Sequence, residues 1–251
     1  MSDHRIWLKN YPPGVPANID VDQYKNLVQF FDESLSKFKG NIAFECMGKF
    51  ITYDELNRYS TNFGAYLHSR GLNPGDKIAL MMPNCLQYPI AIIGAIKAGL
   101  IVVNTNPLYT TREMLHQFED SEVKAILILE NFAHNLEQII KNTNINVVMV
   151  TSLGEMLGGL KGTLVNFVIR HVKKLVPKYN LDNVVNFKET LTQGQKFKIK
   201  SFESNPDDVI IHQYTGGTTG VAKGAMLTNK NMIANMLQMK VWMGQTLQEG
   251  K

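Results

Sequence analysis

The sequence predicts an α/β fold with doubly wound, mostly parallel sheets and flanking helices. Three observations lead there. Between Thr52 and Val150, short apolar runs alternate with longer segments of helical periodicity. Capping residues and glycines punctuate the helical segments. The chain, 251 residues and 44% hydrophobic, is long enough to bury a sizeable core. Strands separated by helices of ten or more residues need crossover connections, which are right-handed and give parallel pairing.

The elements are justified in order. Residues 1–20 are extended and proline-punctuated, with Tyr11-Pro12-Pro13-Gly14-Val15-Pro16, and read as an arm. Leu27, Val28, Phe30, Phe31 and Leu35 follow at helical spacing. Ala43–Cys46 and Phe50–Thr52 form a hairpin around Gly48. Thr52 and Glu55 make a capping box for a helix that Gly71 closes. The strand Lys77–Met82 comes next. Pro83-Asn84 starts a helix through Lys97, Gly99 ends it, and the strand Leu100–Val103 follows. Thr111 is expected to cap a helix from Arg112 to about Asp120. Strand Ala125–Leu129, helix Phe132–Lys141 and strand Val147–Val150 complete the alternation.

The segment Leu153–Tyr179 breaks this rhythm. Leu153, Leu157, Leu160, Leu164, Phe167, Val168, His171 and Leu175 keep one helical face, and Pro177 stops it. Five basic residues (Lys161, Arg170, Lys173, Lys174 and Lys178) stand against Glu155 alone, an excess equal to the +4 of the whole chain. Two readings stay open: a long core-docking helix with a solvated basic side, or an interfacial helix lying on anionic lipid. Gly158, Gly159 and Gly162 weaken either helix. Residues 180–206 read as a short helix and a loop.

Composition excludes some function classes. A net charge of +4 is too small to argue for a nucleic-acid partner. Cys46 and Cys85 show neither CxxC nor metal spacing, so a reduced, cytoplasmic setting is expected. The N-terminus leads into no apolar signal region, and the most apolar stretch, Tyr88–Val103, is broken by Lys97 and two glycines. None of the six histidines forms an i, i+4 pair around a carboxylate, so no metal ligand is assigned. His212 is assigned to the sheet and Asp207-Asp208 to a turn, while Asn104–Glu113 follows a strand end and is read mainly as a helix cap.

The most informative run is Tyr214-Thr215-Gly216-Gly217-Thr218-Thr219-Gly220-Val221-Ala222-Lys223-Gly224. Glycines let backbone N–H groups turn toward a ligand and approach it closely. Threonine hydroxyls add neutral donors, and a lysine adds a point charge for phosphate. The combination predicts a polyphosphate ligand. It is not a Walker A loop, which needs Gly before the lysine and Ser or Thr after it. Here Ala222 precedes Lys223 and Gly224 follows. The flanks predict strand–loop–strand–helix: Val209-Ile210-Ile211, then Ala225–Thr228, then a helix capped by Thr228 or Asn229. Gly-x-Ser-x-Gly is absent, which disfavours an α/β-hydrolase.

This run resembles the phosphate-binding signature of the acyl-adenylate-forming superfamily, which includes acyl-CoA synthetases, luciferases and the adenylation domains of peptide synthetases. Most of that superfamily carries Ser where this chain has Gly217 and Pro where it has Ala222. The form found here, followed by Ala225-Met226-Leu227-Thr228, resembles the bacterial long-chain fatty acid–CoA ligases. The resemblance implies a two-step reaction with ATP, Mg2+ and coenzyme A: a fatty acid is activated to acyl-AMP, then transferred to the CoA thiol. It implies binding roles for Tyr214, Thr215, Gly216, Gly217, Thr218, Thr219, Gly220, Lys223 and Gly224, with Lys223 as the catalytic cation. It implies an incomplete N-terminal AMP-binding domain over 1–251: arm and first helix 1–42, first α/β subdomain 43–152, basic amphipathic segment and connection 153–205, phosphate-loop region 206–251, C-terminal domain absent. The adenine, Mg2+ and ribose residues and the mobile catalytic lysine of the family have no counterpart here, so the isolated chain is expected to be inactive. Peripheral contact with the cytoplasmic face of the inner membrane would run through Leu153–Tyr179. Two alternatives stay open: an acyl-adenylating enzyme that delivers to a carrier protein, and a truncated, non-catalytic module binding nucleotide or membrane.

Overall fold

Successive residues of the central strands point to opposite sides, and the two sides are two cores. Ile78, Leu80, Met82, Leu127 and Met149 belong to one cluster; Ala79, Met81, Ile126, Ile128 and Val150 belong to the other. Both faces being apolar, these strands must be covered on both sides, as parallel sheets are. The computed structural model describes residues 5–215 and 222–244.

The first helix, α1 (Leu27–Lys37), is capped by Asn26 and followed by the antiparallel hairpin β1 (Ile42–Cys46) and β2 (Lys49–Thr52). Then come α2 (Tyr53–Ser69), β3 (Lys77–Met81), α3 (Gln87–Lys97), β4 (Ile101–Asn104), α4 (Thr111–Ser121) and β5 (Val123–Leu129). The chain continues through α5 (Ala133–Ile139), β6 (Val147–Thr151), α6 (Gly159–Phe167), β7 (Val185–Asn186) and α7 (Phe187–Gly194). It closes with β8 (Val209–Thr215), β9 (Lys223–Thr228) and α8 (Asn229–Met243).

Among the described residues the main sheet has seven strands, in the order β7-β6-β5-β3-β4-β8-β9. Every neighbouring pair is parallel except β8–β9, which is antiparallel. The expected doubly wound α/β fold is therefore present. Residues of α1, α2, α3, α7 and α8 pack into one core, and residues of α4 and α5 into the other. From β3 the chain steps to β4, crosses back to β5, and moves outward to β7. It then returns across the sheet, and β8 lies beside β4.

Backbone contact between helices is close where side chains are absent. A Cβ on Gly94 of α3 would lie 2.5 Å from the Ser60 carbonyl of α2, and one on Gly64 would lie 2.7 Å from the Gly94 carbonyl. Asn229 ties three segments: its Oδ1 accepts from Leu27 N at 2.9 Å, and its Nδ2 donates to Ser204 Oγ and Asn205 O. His68 does similar work between α2, the end of α3 and the connection to β8. Its Nε2 lies 2.9 Å from Ala98 O, and Lys200 N–H donates to its Nδ1.

Several sequence expectations need correction. The cap of α4 is Thr110 rather than Thr111, with Glu113 completing the box. The helix expected from Pro83-Asn84 begins at Gln87. Residues 180–206 include the two-residue strand β7 besides α7. The single long helix over Leu153–Tyr179 is not formed. Instead Glu155–Leu157 is a 3-10 turn, α6 ends at Phe167, and Val168–Val172 is a π-helical turn. Gly158, Gly159 and Lys174 adopt positive φ of 71°, 48° and 52°, which break a continuous helix. Its apolar stripe is also divided: Leu157 is buried and Leu153 packs against the core, whereas Leu160, Leu164 and Phe167 are 91%, 63% and 54% exposed. Among the described residues no helix is long and apolar enough to cross a membrane.

Candidate active site

In open α/β sheets, ligands bind beyond the carboxyl ends of the strands. Here that edge is polar at β3, β4 and β8. A cavity of about 290 Å3 there is lined by residues that include Asn84, Tyr88, Asn104, Tyr109, Gln213 and Tyr214. Tyr88 Oη donates to Asn104 Oδ1 at 2.9 Å, and Asn104 Nδ2 donates to Gln213 Oε1 at 3.0 Å. Gln117 of α4 is fully buried below; its Nε2 donates to Asn104 O, while its Oε1 has no partner. Burial pushes the Tyr88 phenol up, so it remains a donor across the physiological range. A roomier depression of about 650 Å3 lies elsewhere, between the arm residues Tyr11–Ile19 and the end of α8. One wall is the edge-to-face pair of Tyr11 and Trp242.

The glycine-rich run has its two stems on β8 and β9. Tyr214 pairs with Gly224, and Thr215 pairs with Lys223, in the antiparallel register. This is the strand–loop–strand–helix order expected from the flanks, and Thr228 caps α8 with Asn231 completing the box. A P-loop would have run directly into a helix. Thr215 and Lys223 are exposed at the mouth of the hairpin. Gly216, Gly217, Thr218, Thr219, Gly220 and Val221 lie outside the described residues. The structure thus brings four of the expected binding residues together: Tyr214, Thr215, Lys223 and Gly224.

Tyr214 is buried on the α4 side of the sheet, and its hydroxyl donates to the Asp120 carboxylate. Burial first, then that hydrogen bond and the negative charge of Asp120, push the phenol well above its usual range. Gly224 is the partner this ring needs. A Cβ at Gly224 would lie 2.9 Å from Tyr214 Cε2. His116, one turn before Asp120, has Nε2 3.4 Å from the carbonyl of Ala222. Sequence reasoning missed His116 and Asp120, because nothing local marks a helix residue whose partner comes about a hundred positions later, and it missed Gln117, which bonds Asn104 O only 13 positions back.

His212 is in β8, opposite Val103 and Met226, as expected for a sheet residue. Burial and then the Lys77 ammonium hold its imidazole below the usual value. Asp208 is in a turn, where its Oδ2 accepts from Asn205 N at 2.7 Å. Asn106 also serves a turn, accepting from Leu108 N at 3.0 Å.

The family description "AMP-binding enzyme" matches residues 31–250. The chain belongs to the AMP-binding enzyme family. Within it, the chain is 47% identical over 248 residues to a long-chain-fatty-acid–CoA ligase of Salmonella typhi, which is 98% of this chain and 44% of that protein. It is 30% identical over 245 residues to the long-chain-fatty-acid–CoA ligase of Bacillus subtilis, 97% of this chain and 43% of that protein. The chain therefore spans less than half the length of these AMP-binding relatives. Solved structures share the fold. A long-chain-fatty-acid–CoA ligase from Archaeoglobus fulgidus superimposes with a TM-score of 0.69 at 23% identity, over 93% of this chain and 42% of that one. An anthranilate CoA ligase in complex with anthranoyl-AMP gives 0.68 at 16% identity, over 84% and 37%.

Proposed function

We propose that this chain supplies the polyphosphate grip of a long-chain fatty acid–CoA ligase. The observation that carries this reading is the β8–β9 hairpin, with Thr215 facing Lys223 across the mouth of a glycine- and threonine-rich run. The identity to long-chain-fatty-acid–CoA ligases supports it. In the first step a fatty acid carboxylate oxygen attacks the α-phosphorus of ATP, and the bond to pyrophosphate breaks. In the second, the CoA thiol attacks the acyl carbonyl, AMP leaves, and a thioester results.

Charge builds on the departing pyrophosphate in the first step. Preorganised donors that meet that charge lower the barrier without having to reorient. The Lys223 ammonium and the Thr215 hydroxyl are such donors at the described stems. Gly216, Gly217, Thr218, Thr219 and Gly220 are the proposed backbone and hydroxyl donors between them. Mg2+ enters as the counter-ion of ATP. Among the described residues no three His, Cys, Asp or Glu side chains gather to hold a metal, so no step is assigned to it here. Fatty acid and coenzyme A are the remaining proposed substrates, and the proposed setting is cytoplasmic. Delivery to a carrier protein instead of CoA is distinguished by supplying both acceptors.

The deciding experiment is ATP–pyrophosphate exchange with a long-chain fatty acid in the full-length protein. Lys223→Ala is expected to lower exchange by about a hundredfold or more, with the melting temperature nearly unchanged. An unaltered rate removes Lys223 from the mechanism.

A second reading concerns membranes. Leu160, Leu164 and Phe167 form an exposed stripe, and Lys161 reaches the Met47 carbonyl at the tip of the β1–β2 hairpin. Met47, Phe44 and Phe50 of that hairpin are also exposed. The acid of the segment, Glu155, is turned inward, bonded to Thr151 Oγ1 at 2.6 Å and to Lys188 N at 3.0 Å. The solvent side of Leu153–Tyr179 is therefore apolar and basic without an opposing carboxylate of its own. That composition favours peripheral contact with anionic lipid.

A further inference from the structure

We propose that His116 and Asp120 of α4 are positioning residues that hold the two stems of the glycine-rich run and so set where Lys223 and its neighbours meet the phosphates. This rests on the phosphate-gripping reading above. The two residues are four apart on one helix and so share a face. Asp120 takes the hydroxyl of Tyr214, on the incoming stem. His116 faces the carbonyl of Ala222, on the outgoing stem. One rigid element thus touches the chain on both sides of the run.

The helix is itself well fixed. Its N-terminus carries the Thr110–Glu113 capping box. Met114 and Phe118 are buried in the same cluster as Tyr214, and Ala222 packs against that cluster. Gln117 lies between His116 and Phe118, fully buried, and ties α4 to the end of β4 through Asn104 O. A displacement of α4 would therefore move both stems together. The chemistry also argues for a positioning role. A carboxylate facing the mouth would repel a phosphate. Asp120 is committed to Tyr214, and it points at the stem rather than at the mouth where Thr215 and Lys223 lie. The Tyr214 hydroxyl, with its phenol held above the usual range, stays protonated and keeps donating.

The test measures affinity for MgATP by calorimetry in the full-length protein, with long-chain fatty acid affinity as the comparison. Asp120→Ala and Tyr214→Phe are each expected to weaken MgATP by about tenfold, and the double variant no more than either alone. Fatty acid affinity should stay within about twofold if the stems serve the phosphates as proposed. His116→Ala is expected to weaken MgATP by about threefold, and His116→Gln to restore it, since an amide N–H can reach the same carbonyl. Tyr214→Phe removes a single oxygen and keeps the ring, so it tests the bond even if Asp120→Ala fails to fold. Unchanged MgATP affinity in Tyr214→Phe, or additive losses in the double variant, overturn the proposal. Lys223→Ala separates the two levels: if it too leaves MgATP affinity unchanged, the phosphate-gripping reading falls. If only Lys223→Ala weakens binding, the positioning role alone falls.

Discussion

Tyr214 and Gly224 face each other across the β8–β9 ladder, and the ring of the first occupies the space a side chain on the second would need. The nearest ring atoms lie 2.9 and 3.0 Å from where a Cβ would be. Gly224→Ala must therefore push the ring off Asp120 or bend β9. The expected cost is about 1–3 kcal/mol, the usual range for overpacking, together with weaker MgATP binding. Urea denaturation and calorimetry check the two parts. An alanine variant as stable as the parent would mean the ring has another place to go.

The α2–α3 crossing makes a sharper contrast between glycines. Gly94→Ala would set a methyl 2.5 Å from the Ser60 carbonyl, a backbone atom that cannot swing aside. A loss of about 2–4 kcal/mol is expected. Gly40 has nothing within 4 Å of its Cβ position, and its φ is not positive. Gly40→Ala should be neutral or stabilise by a few tenths of a kcal/mol, roughly. Parallel denaturant curves of the two variants decide it.

Glu130 is 5% exposed and is held by Arg170 through contacts of 2.6 and 3.0 Å. Removing the guanidinium leaves a buried carboxylate without its cation. Because Arg170 itself is 45% exposed, water softens the loss, and Arg170→Ala is expected to cost about 2–3 kcal/mol. Adding Glu130→Gln should recover part of it. A double variant less stable than Arg170→Ala would show that the ion pair is not the source.

Burial holds the His68 imidazole below its ordinary value of 6.5. The unfolded chain therefore binds this proton more readily than the folded one. The stability tied to neutral His68 is complete above about pH 6.5 and is lost as pH falls below it toward the depressed folded value. Protonation would also set a donor at Nδ1 against Lys200 N–H, which donates there. His68→Gln is expected to be less stable at neutral pH but to show a flatter decline of melting temperature between about pH 7 and pH 5. Equal slopes in the two proteins would exclude His68 as the source of the acid sensitivity.

Charge reversal at Lys173 and Lys174 tests the lipid-facing surface. Each basic residue near an anionic bilayer contributes about 1 kcal/mol. Lys173→Glu with Lys174→Glu should lower partitioning onto phosphatidylglycerol-containing vesicles by about tenfold or more, and high salt should do the same to the parent. Unchanged partitioning removes this segment from any membrane contact.

Much of the architecture was legible because it is written locally. The apolar runs at β3, β5 and β6, the Thr52–Glu55 box and the strand–loop–strand–helix order around Lys223 all follow from residues close together in the chain. The helix after the hairpin was legible for the same reason, since Thr228 caps it from one position away. Misreadings arose where periodicity and backbone disagreed. The stripe from Leu153 to Leu175 has helical spacing, yet the positive φ at Gly158 and Gly159 and the π-helical turn at Val168–Val172 divide it. Spacing left a core-docking and an interfacial helix both open, and Leu160 and Leu164 face solvent. The α4 contacts to Tyr214 and Ala222 were not legible, since they join residues 94 and 106 positions apart. Asn229 is similar: its reach to Leu27 spans 202 positions.

The place of β8 has a consequence for how the chain matures. Its partner β4 is made early, and Asn104 meets Gln213 across 109 positions. During synthesis from the N-terminus, β3 to β7 can assemble while β4 still borders open solvent, with its main-chain groups unsatisfied on one side. Closing so long a loop is the slow, entropically costly kind of step. The hairpin that carries Lys223 is thus the late-arriving piece of this sheet, and the nascent protein's most vulnerable interval lies between the completion of β4 and the arrival of β8.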